Sequence, residues 1–122
     1  MLKDDIEEDL RRAKEALEAA ERNFKENDLY TAANRTFVAC ENAVYVLLKQ
    51  KFGSTSISRS RILTRLKEIN PEAKDAYDKS YDLRVQADYG REAKTLPLNA
   101  DNMGDILEKV KKVIDEAGKL VK

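Results

Sequence analysis

The chain has 122 residues, of which 38% are charged and 42% hydrophobic, and its formal net charge is zero. This length suits a single domain over residues 1–122 with a core that needs no disulfides, and the scarcity of Gly and Pro favours long helices. No apolar run approaches the length that crosses a bilayer, the N-terminus is acidic instead of signal-like, and a lone Cys40 suits a reducing compartment. We therefore expect a cytoplasmic protein without membrane segments.

The first two predicted helices differ in how much of their surface is apolar. Over residues 3 to 24, apolar side chains at spacings of four and three form one narrow stripe between charged, solvated faces. Residues 29 to 52 are apolar over most of the helix circumference, which predicts a central position in a bundle. Asn27 or Asp28 is expected to cap the start of this second helix, and Gly53 to end it.

Three further helices follow, and helix-capping residues indicate where each begins or ends. The expected boundaries are Ser58 or Ser60 and Ile69 for the third helix, Asn70-Pro71 and Tyr89 for the fourth, and Asn99 or Asp101 for the start of the fifth. Long helices joined by short turns pack as antiparallel neighbours. The sequence therefore predicts an all-α fold, an up-down antiparallel four-helix bundle with one additional short helix.

The fourth predicted helix carries a stripe that mixes aromatic and charged side chains. Tyr77, Tyr81, Arg84 and Asp88 recur at spacings of four, three and four, so they share one helix face. Arg offers a planar charged fork for phosphate, and Tyr offers a stacking ring and a hydroxyl. The pattern fits a polar ligand-binding groove, but taken alone an ordinary surface ion pair between Arg84 and Asp88 explains it more simply.

The segment YDLRVQADYG at residues 81–90 resembles the fourth-helix signature of HEPN domains. In that family an Arg is followed four to six residues later by a His, and many small prokaryotic members of the UPF0332 type have an Ala-Asp-Tyr ending instead. The first two helices also resemble the family pattern. The matching residues are Ala13, Leu17, Ala20 and Phe24, then Tyr30, Ala33, Asn34, Arg35, Phe37 and Ala39.

The resemblance implies a helical bundle that dimerises through the fourth-helix face. In many members it also implies a partner, a minimal nucleotidyltransferase, in a toxin–antitoxin pair. Some members are metal-independent ribonucleases, and here Arg84 takes the position of the family Arg while Tyr89 falls where a His would be. The resemblance also places Arg35 near this groove as a ligand-binding candidate with Tyr77, Tyr81 and Arg84, although an Arg that extends its head into solvent fits equally well.

The sequence contains no histidine, the side chain best suited to proton transfer near neutral pH. RNA cleavage would then need Tyr89, Asp88 or a Lys with a strongly shifted pKa, while Arg84 would stabilise phosphate and Asp88 and Tyr89 would be supporting groups. We therefore expect a nucleotide- or RNA-binding module that partners a nucleotidyltransferase, with a degenerate endoribonuclease toxin as the alternative. A TPR-like interaction scaffold also fits the first two helices, but no repeat of about 34 residues recurs.

A basic segment joins the second and third predicted helices, and it contains six basic residues and no acid. These candidate polyanion contacts are Lys49, Lys51, Arg59, Arg61, Arg65 and Lys67. Because the whole chain is neutral, a solvated face that balances the acidic first helix is the favoured interpretation. We expect no metal or cofactor, because the chain lacks His and Cys40 lies on an apolar stripe.

Overall fold

The computed structural model describes residues 2–55 and 58–121. These residues form five helices and no strand, which confirms the predicted all-α class. The helices are α1 (Leu2–Lys25), α2 (Leu29–Phe52), α3 (Arg59–Ile69), α4 (Pro71–Tyr89) and α5 (Ala100–Leu120). Ser56 and Ile57, which end the predicted loop before α3, lie outside the described residues.

Side-chain caps decide between the alternative helix starts. Each cap accepts a hydrogen bond from the backbone N–H three residues later, which satisfies a donor that the helix itself leaves open. The caps are Asp28 for α2, Ser58 for α3, Asn70 for α4 and Asn99 for α5. Gly53 and Gly90 end α2 and α4 with φ of 79° and 63°, a conformation that glycine adopts without Cβ strain.

Helix α2 is the central element of the bundle, as its apolar circumference predicts. It packs against α1, α4 and α5, while the short α3 lies on α4. Lys49 near the end of α2 contacts Asp9 near the start of α1, so these two helices are antiparallel. Asn34 near the start of α2 contacts Asp88 near the end of α4, which makes this pair antiparallel as well. Of the helices described, none has the length and apolarity that a membrane crossing requires.

The predicted inward stripes are buried, with exceptions that have physical reasons. Leu120, an apolar residue of α5, is 52% exposed, because the helix ends at this residue. Asp9 is buried although the acidic side chains of α1 were expected in solvent, and its carboxylate is compensated by Lys49 Nζ at 2.6 Å. Cys40 is fully buried, and this burial raises the pKa of its thiol to about 12.

Candidate functional site

Arg84 lies against the neighbouring helix α2 instead of on a bare outer surface. Its guanidinium lies over the ring of Phe37, 5.2 Å from the ring centroid, and its side chain is 30% exposed. Arg84 Nε donates to Asp88 Oδ2 at 3.1 Å, and the same oxygen accepts a bond from Asn34 Nδ2 at 2.9 Å. The Arg84–Asp88 pair is therefore tied to a second helix, unlike an isolated surface pair. The two terminal nitrogens of Arg84 have no hydrogen-bond partner among the described residues.

The bond network continues from Asn34 to a second arginine. Arg35 Nε and Nη2 donate to Asn34 Oδ1 at 3.0 and 2.6 Å. Arg35 and Arg84, which the sequence proposed as ligand-binding residues, are thus joined through Asn34 and Asp88. Because their side chains are already ordered in the folded protein, less conformational entropy is lost when they bind an anion.

The two tyrosines of the predicted stripe have different positions. Tyr77 is 3% exposed, and its ring lies 5.4 Å from that of Phe37, so it supports the site from beneath. Tyr81 packs its ring edge-on at 5.5 Å from Phe37 and is only partly buried, so a ligand can reach it. We call the surface formed by these accessible residues the α2–α4 groove: Asn34, Arg35, Tyr81, Arg84 and Asp88.

Glu41 is a charged residue beside Arg84 that the sequence did not single out. It lies one helical turn after Phe37 and is half-buried. Burial raises the pKa of its carboxyl, and a bond from the Tyr45 hydroxyl and the charge of Arg84 offset only part of this rise. Its spacing from Asn34, seven residues or two helical turns, places it on the same face of α2 and is the signal that could have found it.

Glu41 should make the protein less stable as it ionises. Its folded-state pKa is raised above the unfolded value of about 4.3, so stability falls as the pH rises from that value through the folded pKa. Glu41→Gln should remove this loss and raise the free energy of unfolding at pH 7 by about 0.5 kcal/mol, after allowing for solvent screening. Urea unfolding at pH 4 and pH 7 measures the effect, and a variant less stable than the wild type at pH 7 would contradict it.

Asp82 fastens the loop that follows α4. Its buried carboxylate accepts hydrogen bonds from the backbone N–H groups of Lys94, Thr95 and Leu96 at 3.1, 2.9 and 3.3 Å, and from the Thr95 hydroxyl at 3.0 Å. Burial alone would raise the pKa of Asp82, but these bonds outweigh it and the pKa is lowered. The fastened loop forms one wall of a cleft of about 490 Å³ beside Tyr81.

The basic segment does not form one continuous face. Arg59 alone of its six basic residues comes to the groove, where its guanidinium lies 4.0 Å from the centroid of the Tyr81 ring. The other five lie elsewhere: Lys49 pairs with Asp9, Arg65 lies over the Phe52 ring, and Lys51, Arg61 and Lys67 are exposed.

Tyr89 lies apart from the face that carries Arg84. The two are five positions apart along the helix, which places them about 140° apart around the axis. The Tyr89 side chain is 64% exposed, and the Arg91 guanidinium lies 5.8 Å from its ring centroid. Within residues 2–55 and 58–121, no three His, Cys, Asp or Glu side chains are grouped in a way that could hold a metal ion.

Comparison with known proteins supports the helical pattern read from the sequence. A Sulfolobus solfataricus protein of known crystal structure is similar in fold, with a TM-score of 0.72 and 20% sequence identity over 91% of this chain and 97% of that one. A search of curated proteins finds no significant match. The model of the HEPN domain matches residues 6–120. Because this match spans nearly the whole chain, the protein belongs to the HEPN domain family.

Proposed function

We propose that this protein binds a nucleotide or RNA in the α2–α4 groove. The observation that carries the proposal is the placement of Arg84. Its guanidinium is fixed over Phe37 and held by Asp88, while its terminal nitrogens remain available. Such a fork suits the oxygens of a phosphate, and the Arg59 guanidinium that lies over the neighbouring Tyr81 ring offers a planar surface for a base.

The charge of the chain limits the affinity that this groove can provide. The net charge is zero, so long-range attraction for a polyanion is weak and binding depends on local contacts. Arg35 and Arg84, each neutralising one phosphate of a single strand, should together contribute about −1.4 to the salt slope, d log K/d log[salt]. We therefore expect binding that is detectable at low ionic strength and clearly weaker at physiological salt.

Arg84→Ala should lower the affinity for a fluorescein-labelled uridine octanucleotide about tenfold at low salt, because it removes a charged hydrogen-bonding group from the phosphate. Fluorescence anisotropy measures the change. Arg11→Ala is the matched control, since it removes the same charge from an exposed ion-pair cluster on α1. Wild-type protein that does not bind the octanucleotide at low ionic strength, or binds no better than Arg84→Ala, would refute the proposal.

The proposal also includes partners that the family resemblance implies. The first is a second copy of this chain, which would meet the helix α4 face beside Arg84 and Tyr81. The second is a minimal nucleotidyltransferase in a toxin–antitoxin pair. The support for both is the membership of the HEPN family, in which such assemblies are common.

RNA cleavage is a second candidate function, with Arg84 stabilising phosphate and Asp88 and Tyr89 as supporting groups. The observation that favours it is the half-buried carboxyl of Glu41 in the electrostatic field of Arg84, a second acidic group at this site in a chain without His; burial raises its pKa above the ordinary value. Equal degradation of RNA by purified wild-type and Arg84→Ala protein would exclude this function.

A further inference from the structure

Arg59 extends the row of cations and rings that begins at Arg84. Its guanidinium lies 4.0 Å from the Tyr81 ring centroid and 5.5 Å from that of Tyr77, and Nη2 donates to Asp78 Oδ1 at 2.8 Å. Arg59 Nε is buried and has no hydrogen-bond partner in residues 2–55 and 58–121. Burying a charged N–H without an acceptor is unfavourable. Because Nε itself is enclosed, a ligand oxygen would instead reach the terminal nitrogens of this side chain, which is 33% exposed.

The cleft beside Arg59 has room for part of a ligand. Its volume of about 490 Å³ lies within the usual range for small-molecule sites, and Arg59, Tyr81, Arg91 and Lys94 are among its lining residues. Arg91 and Lys94 form no ion pair within the described part of the chain.

Most acidic residues in the cleft wall already have hydrogen-bond or salt-bridge partners within the protein. Asp82 accepts bonds from the loop N–H groups, and Asp75 is paired with Lys79 and Lys109. Asp78 pairs with Arg59 and would compete with a bound anion for this guanidinium, and Glu92 is exposed. The cleft lining therefore has four basic and four acidic side chains, so a phosphate would depend on direct contacts with Arg59, Arg91 and Lys94 instead of on a net positive charge.

The spacing of the two arginines fits consecutive parts of one strand. Arg84 and the Asp78 partner of Arg59 are six residues apart on α4, which corresponds to about 9 Å along the helix axis and about 120° around it, so a strand that joins them must cross the helix at Tyr81. Tyr81 lies between them, and the Arg59 guanidinium that covers its ring offers a planar stacking surface between two phosphate-binding groups. A mononucleotide occupying the Arg84 end would leave the Arg59 cleft empty.

We infer that Arg59 and its cleft form a second phosphate subsite, and that the ligand is single-stranded RNA of at least two nucleotides. This inference rests on the proposed function, because it places the first phosphate on Arg84. The strand runs along α4 from the Asp88 end toward Asp78, and Arg91 and Lys94 lie at the mouth of the second subsite.

The test compares a long and a short ligand on the same variants. Arg59→Ala should weaken binding of the labelled uridine octanucleotide about tenfold and reduce the magnitude of its salt slope by about 0.7, while uridine monophosphate binds as it does to the wild type. Arg61→Ala, which removes the same charge two residues away from an exposed position, should leave both ligands unaffected. Anisotropy measures the octanucleotide, and calorimetry measures the monophosphate.

Asp78→Asn provides a second measurement that does not remove Arg59. It eliminates the competing carboxylate and should strengthen octanucleotide binding about twofold to threefold. Arg59→Ala protein that binds the octanucleotide like the wild type, or that loses both ligands equally while remaining folded, would overturn the second subsite. If Arg59→Ala does not fold, weaker or unchanged binding by Asp78→Asn overturns it. Failure of the wild type to bind the octanucleotide refutes the proposed function itself. If instead Arg84→Ala loses affinity and Arg59→Ala does not, the proposed function stands and only the second subsite is refuted.

Discussion

Replacing Asp82 with alanine should lower the free energy of unfolding by about 3 kcal/mol. The change leaves the backbone N–H groups of Lys94, Thr95 and Leu96 without their acceptor and releases the loop that they hold against α4. Urea unfolding followed by circular dichroism measures the loss. Amide hydrogen exchange should accelerate first at these three residues.

A second aspartate on the same helix provides the control for Asp82. Asp75 forms salt bridges to Lys79 and Lys109 near the surface, so Asp75→Ala should cost less than about 1 kcal/mol. Equal losses for the two variants would show that the loop bonds of Asp82 contribute no more than an ordinary surface ion pair.

The Asp82 contribution should also depend on pH with a definite sign. Its folded-state pKa is lowered below the unfolded value of about 3.9. The stabilisation is therefore fully present above that value and is lost as the pH falls through the lowered folded pKa. The difference in stability between the wild type and Asp82→Asn should shrink below pH 4, and a difference that grows on acidification would contradict this assignment.

Local signals in the sequence were sufficient to predict the helices. The boundaries of α2 and α4 depend on residues that act within one turn: Asp28 and Gly53 for one, Asn70 and Gly90 for the other. Capping bonds and positive-φ glycines need no knowledge of the rest of the fold, so these boundaries could be placed from sequence alone.

The candidate site depended on contacts that no local pattern encodes. The partners of Asp82 are N–H groups twelve to fourteen residues later, in a loop whose path the sequence does not determine. Tyr77 and Tyr81 share a predicted stripe, but the packing of α2 and α3 on α4 buries one and leaves the other accessible. The same packing brings Arg59 from the basic segment onto Tyr81 and joins two features that the sequence presented as separate.

Phe37 should be the residue whose loss most affects both stability and the groove. Its 2% exposed ring contacts Tyr77, Tyr81 and the guanidinium of Arg84. Phe37→Ala should cost about 4 kcal/mol, because it leaves a cavity beneath all three side chains. Urea unfolding measures this loss.

Phe37→Leu separates the structural contribution of the ring from its effect on binding. Leucine should keep the core filled at a cost of about 1.5 kcal/mol, but it offers no aromatic face for the Arg84 guanidinium. The affinity for the uridine octanucleotide should therefore fall severalfold while the protein stays folded. Phe24→Leu, a change of the same kind beside Gly104 on α5, should alter stability without altering binding. If both leucine variants bind the octanucleotide like the wild type, the aromatic support of Arg84 is not needed for phosphate recognition, and the guanidinium must be positioned by Asp88 alone.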